Sequence, residues 1–196
     1  HPLNPMNLLH PDRHALGMAA VERLGGPEAA APILAAADIA PDLVRFAIDF
    51  AFGEVLSRPG LDVRTRELCT VAALTALGNA EPQLQWHIGA ALYVGASERD
   101  VDQVQRIARW YVDASGAEFD GLGPLDAITR ELATIALLTA IATQPASLKA
   151  RMRAARRAGA TRQQIVHVLE QMAIYAGFPA ALNGVVAARD VFAEST

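Results

Sequence analysis

The segment LDVRTRELCTVAAL at 61–74 recurs as LDAITRELATIALL at 125–138. The offset of 64 residues holds without a gap from Glu54/Glu118 to Tyr111/Tyr175, and roughly a third of the aligned positions are identical. This duplication restricts the fold more than any bulk property. Each copy is one supersecondary unit, too small to bury its own apolar faces, so the two copies must pack on each other. Arg66 aligns with Arg130, Glu67 with Glu131 and Gly95 with Gly159. The correspondence breaks at His87, which aligns with Arg151.

Both copies read as helix, turn, helix, glycine, helix. Asp62 occupies an N-cap position, the apolar pattern runs to Leu77, and Gly78-Asn79 stops it. Pro82 opens a helix over 82–94, with Gly95 at the C′ position. Ser97 and Asp100 form a capping box for a helix that runs to about Val112. In the second copy a helix spans Asp126 to Ala142, Thr143-Gln144-Pro145 breaks it, and a basic helix runs to Ala158. Thr161 and Gln164 cap the next helix, which reaches Tyr175. Gly177-Phe178-Pro179 interrupts the chain before a last helix over Ala181 to Phe192.

Upstream, 12–24 reads as a helix and Pro32 breaks an alanine-rich stretch. A further helix opens at Pro41-Asp42, with Leu43, Phe46, Phe50 and Glu54 sharing one face at spacings of three and four. The expected organisation is an amino-terminal arm and first helix (1–37), a first copy (38–112), a linker (113–124) and a second copy (125–196). The chain is 52% hydrophobic and only 6% aromatic, with much of the apolar content in alanine. The expected class is therefore all-α, internally duplicated, with closely packed helices.

A net charge of −4 and a pI near 5.7 argue against a nucleic-acid partner. The one basic cluster is Lys149, Arg151, Arg153, Arg156 and Arg157. It reads as a solvated helix face, or as a rim that attracts an anionic substrate or meets another subunit. Cys69 is the only cysteine, so no internal disulfide or CxxC pair can form, and in an apolar helix it reads as a small core residue. His1, His10 and His14 could be imagined as a metal site, but His10 and His14, although four apart, are not flanked by carboxylates, so no metal is expected. No apolar run approaches the ~18 residues of a membrane span. No leader pattern opens the chain, so a cytoplasmic protein without a membrane partner is expected.

Several pieces resemble the carboxymuconolactone decarboxylase family, which includes the AhpD-type alkylhydroperoxidases. In the first copy these are Phe52-Gly53-Glu54-Val55, Arg58-Pro59-Gly60-Leu61-Asp62, Arg64-Thr65-Arg66, Ala72-Ala73-Leu74, Leu77-Gly78, Leu84, His87 and Gly95. In the second copy the run Gln171 to Asn183 is similar to the family's closing motif. The resemblance covers nearly everything from about residue 12 onward. It implies an all-α fold assembled as trimers or hexamers, with a trimer the simplest outcome for a duplicated chain. It also implies a small-molecule substrate and no metal or organic cofactor. The redox branch of the family needs a Glu, two cysteines three apart and a His. Here the cysteine positions fall near Asn79 and Pro82, and near Thr143 and Ala146, so a thiol peroxidase is not expected.

In the decarboxylase branch, CO2 leaves the γ-carbon of a butenolide and a proton is added elsewhere. Such a site needs a cation for the retained carboxylate, donors for the developing enolate oxygen and a general acid. His87 is the candidate acid, with a core histidine bonded to a backbone carbonyl as the alternative. Glu67 and Glu54 are candidate acid/base partners. Glu67 is equally readable as part of an Arg66–Glu67 structural pair repeated at Arg130-Glu131, and Glu54 as a carboxylate reaching solvent. Arg64 and Arg66 are candidate carboxylate clamps. Trp86, Tyr93, Tyr175 and Phe178 are candidate substrate walls, although such aromatics more often fill a core. Tyr93-Val94 stands where many decarboxylases have an Asn-Asn pair, which implies a different, more aromatic or apolar ligand. One copy retains the histidine and the other the closing motif, so one working site per chain is expected, with His87 from copy one and walls from copy two. The expected function is a cofactor-independent lyase or isomerase acting on a lactone or related oxygenated acid. The competing expectation is a helical binding or assembly protein that has lost the chemistry.

Overall fold

The computed structural model describes residues 13–113 and 123–194. The expected arm at 1–10, with His1 and His10, and residues 114–122 of the expected linker lie outside them. The chain divides into two compact units, residues 1–58 and 59–196. Among the described residues all regular structure is helical.

The first unit contains α1 (Arg13–Gly25), the short α2 (Ala31–Leu34), α3 (Pro41–Phe46) and a π-helical segment, Ala47–Leu56, that continues α3. Helix α1 packs on the π-helical segment backbone to backbone. A Cβ at Gly17 would stand 2.1 Å from the Ile48 carbonyl oxygen, and one at Gly53 would stand 2.2 Å from that of Arg13. Pairs of glycines are what permit such an approach. The stripe of Leu43, Phe46 and Phe50 is not the buried side of this unit: Leu43 and Phe46 are exposed and Phe50 half-buried, and the buried residues are Val44, Ile48, Ala51, Phe52 and Val55. Turns closed by i→i+5 bonds are wider than α turns. The 3.6-residue period therefore stops predicting which side chains stack once the chain passes Phe46.

The second unit contains α4 (Val63–Leu77), α5 (Glu81–Tyr93), α6 (Glu98–Asp113), α7 (Ala127–Ile141), α8 (Pro145–Ala158), α9 (Arg162–Tyr175) and α10 (Gly177–Ala193). Helices α4, α5 and α6 begin 64 residues before α7, α8 and α9, so the duplication in sequence is a duplication in structure. Asp62 and Asp126 cap α4 and α7 by accepting from the N–H groups of Thr65 (2.8 Å) and Thr129 (2.9 Å). The capping boxes at Ser97/Asp100 and Thr161/Gln164 both form. The Gly177-Phe178-Pro179 stretch is the first turn of α10 and not a break before it. Gly177 takes a positive φ, and a proline in the opening turn sacrifices no helical hydrogen bond.

The two copies pack about α4 and α7, which form the centre of the core. Leu68 to Leu74 in α4 and Leu132 to Leu138 in α7 are buried on every side, as expected of helices surrounded by other helices. Helix α4 meets α5, α6 and α9, and α7 meets α8, α9 and α6. At the crossing, the Thr65 and Thr129 hydroxyls lie 3.5 Å apart. A residue that meets its own counterpart marks a local two-fold relation between the copies. Each copy's third helix, α6 or α9, also reaches across to the other copy's first.

The caps of the two central helices differ. Gly78 ends α4 in the left-handed region with φ 65°, and the counterpart Ala142 ends α7 there with φ 53°. Alanine pays a steric cost in this region that glycine does not. Ala142→Gly is therefore expected to stabilise the protein by about 1 kcal/mol, measured as a higher urea midpoint at unchanged slope. A loss of stability would show that the cap is unstrained.

Candidate active site

Three helices of the second unit converge on His87. Helix α4 contributes Arg66, Glu67 and Thr70, α5 contributes Trp86 and His87, and α9 contributes Gln171 and Tyr175. Positions 66, 67 and 70 lie within one turn of α4, and 171 and 175 lie one turn apart on α9. The groups lie deep: His87 is 6% exposed and Glu67 1%, while Trp86 and Tyr175 are half-buried.

His87 Nδ1 donates to Glu67 Oε2 at 2.7 Å, a charge-assisted bond of the short, strong kind. This leaves Nε2 facing the Tyr175 hydroxyl, 3.4 Å away. The two rings meet edge to face at 5.5 Å, and the Trp86 ring stands edge-on to the imidazole at 4.8 Å. Behind Tyr175, its hydroxyl lies 3.2 Å from Thr70 Oγ1, which is also 3.2 Å from the Arg66 carbonyl. Gln171 Nε2 donates to Thr70 Oγ1 (2.8 Å) and to the Arg66 carbonyl (2.9 Å), and Arg66 donates to Gln171 Oε1 (3.2 Å). Burial, and next to it the charge of Glu67, pushes the Tyr175 hydroxyl well above its ordinary range. It therefore stays protonated and acts as a donor.

The chain of bonds works with either form of the histidine. With neutral His87, the Thr70 hydroxyl donates to Tyr175 and the Tyr175 hydroxyl to Nε2. With the imidazolium, Nε2–H donates to the Tyr175 oxygen, Tyr175 to Thr70, and Thr70 to the Arg66 carbonyl. A hydroxyl carries one proton and two acceptor lone pairs, so both arrangements leave every group bonded. His87 can then exchange a proton without stranding a buried donor, whose desolvation would cost about 1–3 kcal/mol.

The second copy holds the related arrangement without the histidine. Glu131 takes the place of Glu67, Arg151 that of His87 and Tyr111, reaching over from α6, that of Tyr175. Arg151 lies 3.4 Å from Glu131 and Arg130 lies 3.6 Å from it. Tyr111 senses both the Arg151 and Glu131 charges, while burial pushes its hydroxyl up.

The other sequence candidates lie as follows. Arg64 is paired with the buried Asp100 at 2.9 Å, tying α4 to the start of α6. Burial acts to raise the Asp100 carboxyl. The Ser97 N–H, the Arg64 guanidinium and the Ser97 hydroxyl together hold it below the usual range. Arg66 is buried, 2% exposed, within the network just described. Glu54 belongs to the first unit, where its carboxylate meets Arg13 at 2.9 Å and Arg58. Tyr93 and Phe178 are exposed. Cys69 is fully buried and burial pushes its thiol far up, so it does not supply a thiolate. A groove lined by Arg162, Val166, Val185, Ala188, Arg189, Phe192 and Ala193 shares no residue with the His87 network.

Sequence reasoning passed over Thr70 and Gln171. The signal for Gln171 was available: a glutamine stands on the buried stripe of α9 where the first copy has the apolar Ile107. A long polar side chain on such a stripe needs a partner.

The model of the carboxymuconolactone decarboxylase family matches the chain twice, over residues 41–122 and 105–190. A 4-carboxymuconolactone decarboxylase of Acinetobacter baylyi is 40% identical over 67 residues, which are 34% of this chain and 49% of that protein. An uncharacterized 15.0 kDa protein of Paracoccus denitrificans, from the nqo9-nqo10 intergenic region, is 38% identical over 64 residues, or 32% of this chain and 48% of that protein. The chain thus spans about half the length of the curated relatives it matches. Among the described residues no helix is long and apolar enough to cross a membrane.

Proposed function

The chain belongs to the carboxymuconolactone decarboxylase family, and we propose on that footing that it is a cofactor-independent carboxy-lyase for a lactone bearing a carboxylate on its γ-carbon. The observation that carries the proposal is the buried Glu67–His87–Tyr175 chain, which supplies a proton donor held in one orientation and flanked by aromatic walls. In the reaction, the bond between the γ-carbon and its carboxylate breaks and CO2 leaves. The electron pair passes into the ring and onto the lactone carbonyl, giving a dienolate. The Tyr175 hydroxyl donates to the developing oxyanion, where a fixed donor contributes most. His87 Nε2–H delivers the proton to ring carbon, and solvent restores it. Glu67 holds the imidazole by Nδ1, which makes it a positioning residue. The half-buried Trp86 and Tyr175 rings bracket a flat ligand. The site is single per chain because the second copy has Arg151 at the histidine position.

Incubation with a panel of γ-carboxy lactones, followed by CO2 release and loss of ring absorbance, tests it. The expected result is turnover of at least one member, with one equivalent of CO2 per ring consumed. If the protein binds such lactones saturably but releases no CO2, it is a binding protein and the lyase reading is overturned.

A further inference from the structure

We propose that the second copy's counterpart of the His87 site is a binding site for a small carboxylate, built by Arg151 and Arg130 around Glu131 and distinct from the catalytic centre. Among the described residues two guanidinium groups face one carboxylate, so the cluster holds one more positive than negative side chain. Neutralising Glu131, which is only 7% exposed at its side chain, needs one cation, and Arg151 alone would serve. The second is in excess. Both contacts, at 3.4 and 3.6 Å, are longer than the 2.7–2.9 Å of a well-made guanidinium–carboxylate bond. The side chains of Arg151 and Arg130 are 41% and 30% exposed, and among the described residues each is held only by Glu131. They are thus anchored loosely from below by a buried anion and free to turn their outer N–H groups to a ligand. Arginine presents its donors as a planar fork that matches the two oxygens of a carboxylate.

The local two-fold relation strengthens the assignment. The first copy's site and this one share a buried glutamate on the central helix, a basic group 20 residues later and a tyrosine from the opposite copy's third helix. At His87 the glutamate meets a group that exchanges a proton. At Arg151 it meets one that does not release its proton near neutrality. The same architecture therefore turns from proton transfer to charge recognition. Tyr111 borders the cluster: burial pushes its hydroxyl up, and it senses both the Arg151 and the Glu131 charge. The proposal does not rest on the lyase reading, because it uses none of the His87 network.

The chain holds two tryptophans, and they report on the two sites separately. Trp86 stands against His87, and Trp110 stands edge-on to Tyr111 with centroids 4.7 Å apart. In Trp86→Phe, Trp110 is the remaining tryptophan. Titration of this variant at low ionic strength with sodium cyclohexanecarboxylate, which does not absorb in the tryptophan region, should change the Trp110 emission saturably. Adding Arg151→Ala should weaken that binding at least about tenfold. Arg151→Gln, which keeps a side chain able to bond Glu131 but not the charge, should weaken it comparably, so a folding defect in the alanine variant does not decide the outcome. Inorganic phosphate, run as a second arm, should bind more weakly. An emission that does not change saturably, an affinity unaffected by either Arg151 substitution, or tighter binding of phosphate overturns the assignment.

Discussion

His87→Ala is expected to lower kcat for a γ-carboxy lactone by about 10²- to 10⁴-fold, the range over which a positioned general acid contributes. Glu67 fixes Nδ1, which leaves Nε2 as the donor, and no other described histidine has a ring nitrogen on this network. Glu67→Gln should cost about tenfold, since the amide still accepts from Nδ1–H but a charge-assisted bond becomes an ordinary one. His14, exposed and paired with Asp49 in the first unit, serves as the control histidine, and His14→Ala should leave the rate unchanged. Steady-state kinetics on the three variants checks the order. Wild-type turnover in His87→Ala would remove histidine from the mechanism.

Arg66→Ala is expected to destabilise the protein by about 3–5 kcal/mol, because it leaves Gln171 Oε1 without its donor and empties the volume of a fully buried side chain. In a chain of this size that corresponds to a fall in Tm of roughly 10 °C. The aligned variant Arg130→Ala should cost less than about 1 kcal/mol, since Arg130 makes one long, half-exposed ion pair. Thermal unfolding followed by circular dichroism measures both. Equal costs would mean that the two arginines do the same work, contrary to the packing described.

That contrast shows how far the sequence could be read. Thr-Arg-Glu occurs identically in both copies, which suggested a shared Arg–Glu structural pair. In the second copy Arg130 does pair with Glu131. In the first, Glu67 holds His87 and Arg66 bonds Gln171. Identical local sequence leads to different partners because the partners lie on α5, α8 and α9, 20 and about 105 residues away. Position 87 differs from 151, and 171 differs from 107. The asymmetry at His87 was visible by alignment, and the structure puts Tyr175 of copy two beside it. The chain Tyr175–Thr70–Gln171–Arg66 was not visible, since nothing in the spacing of α4 and α9 gives the angle at which they cross. Which side of the first unit is buried was not legible for a more local reason: Leu43 and Phe46 point outward, and after Phe46 the chain winds as a π-helix, where the 3.6-residue period no longer orders the side chains.

Sequence alone determined the helical class, the duplication, the caps at Asp62, Asp126, Ser97 and Thr161, and the residue at which the copies part company. These follow from periodicity and from hydrogen bonds between residues three or four apart, which the chain specifies without reference to the rest of the molecule. Only the tertiary structure decided that Glu67 serves His87, that Arg66 is interior and Arg130 is not, and that each tyrosine crosses to the other copy. Those outcomes depend on which helices pack about the Thr65–Thr129 crossing, and packing joins residues by volume and shape over distances in the chain at which sequence pattern carries no register.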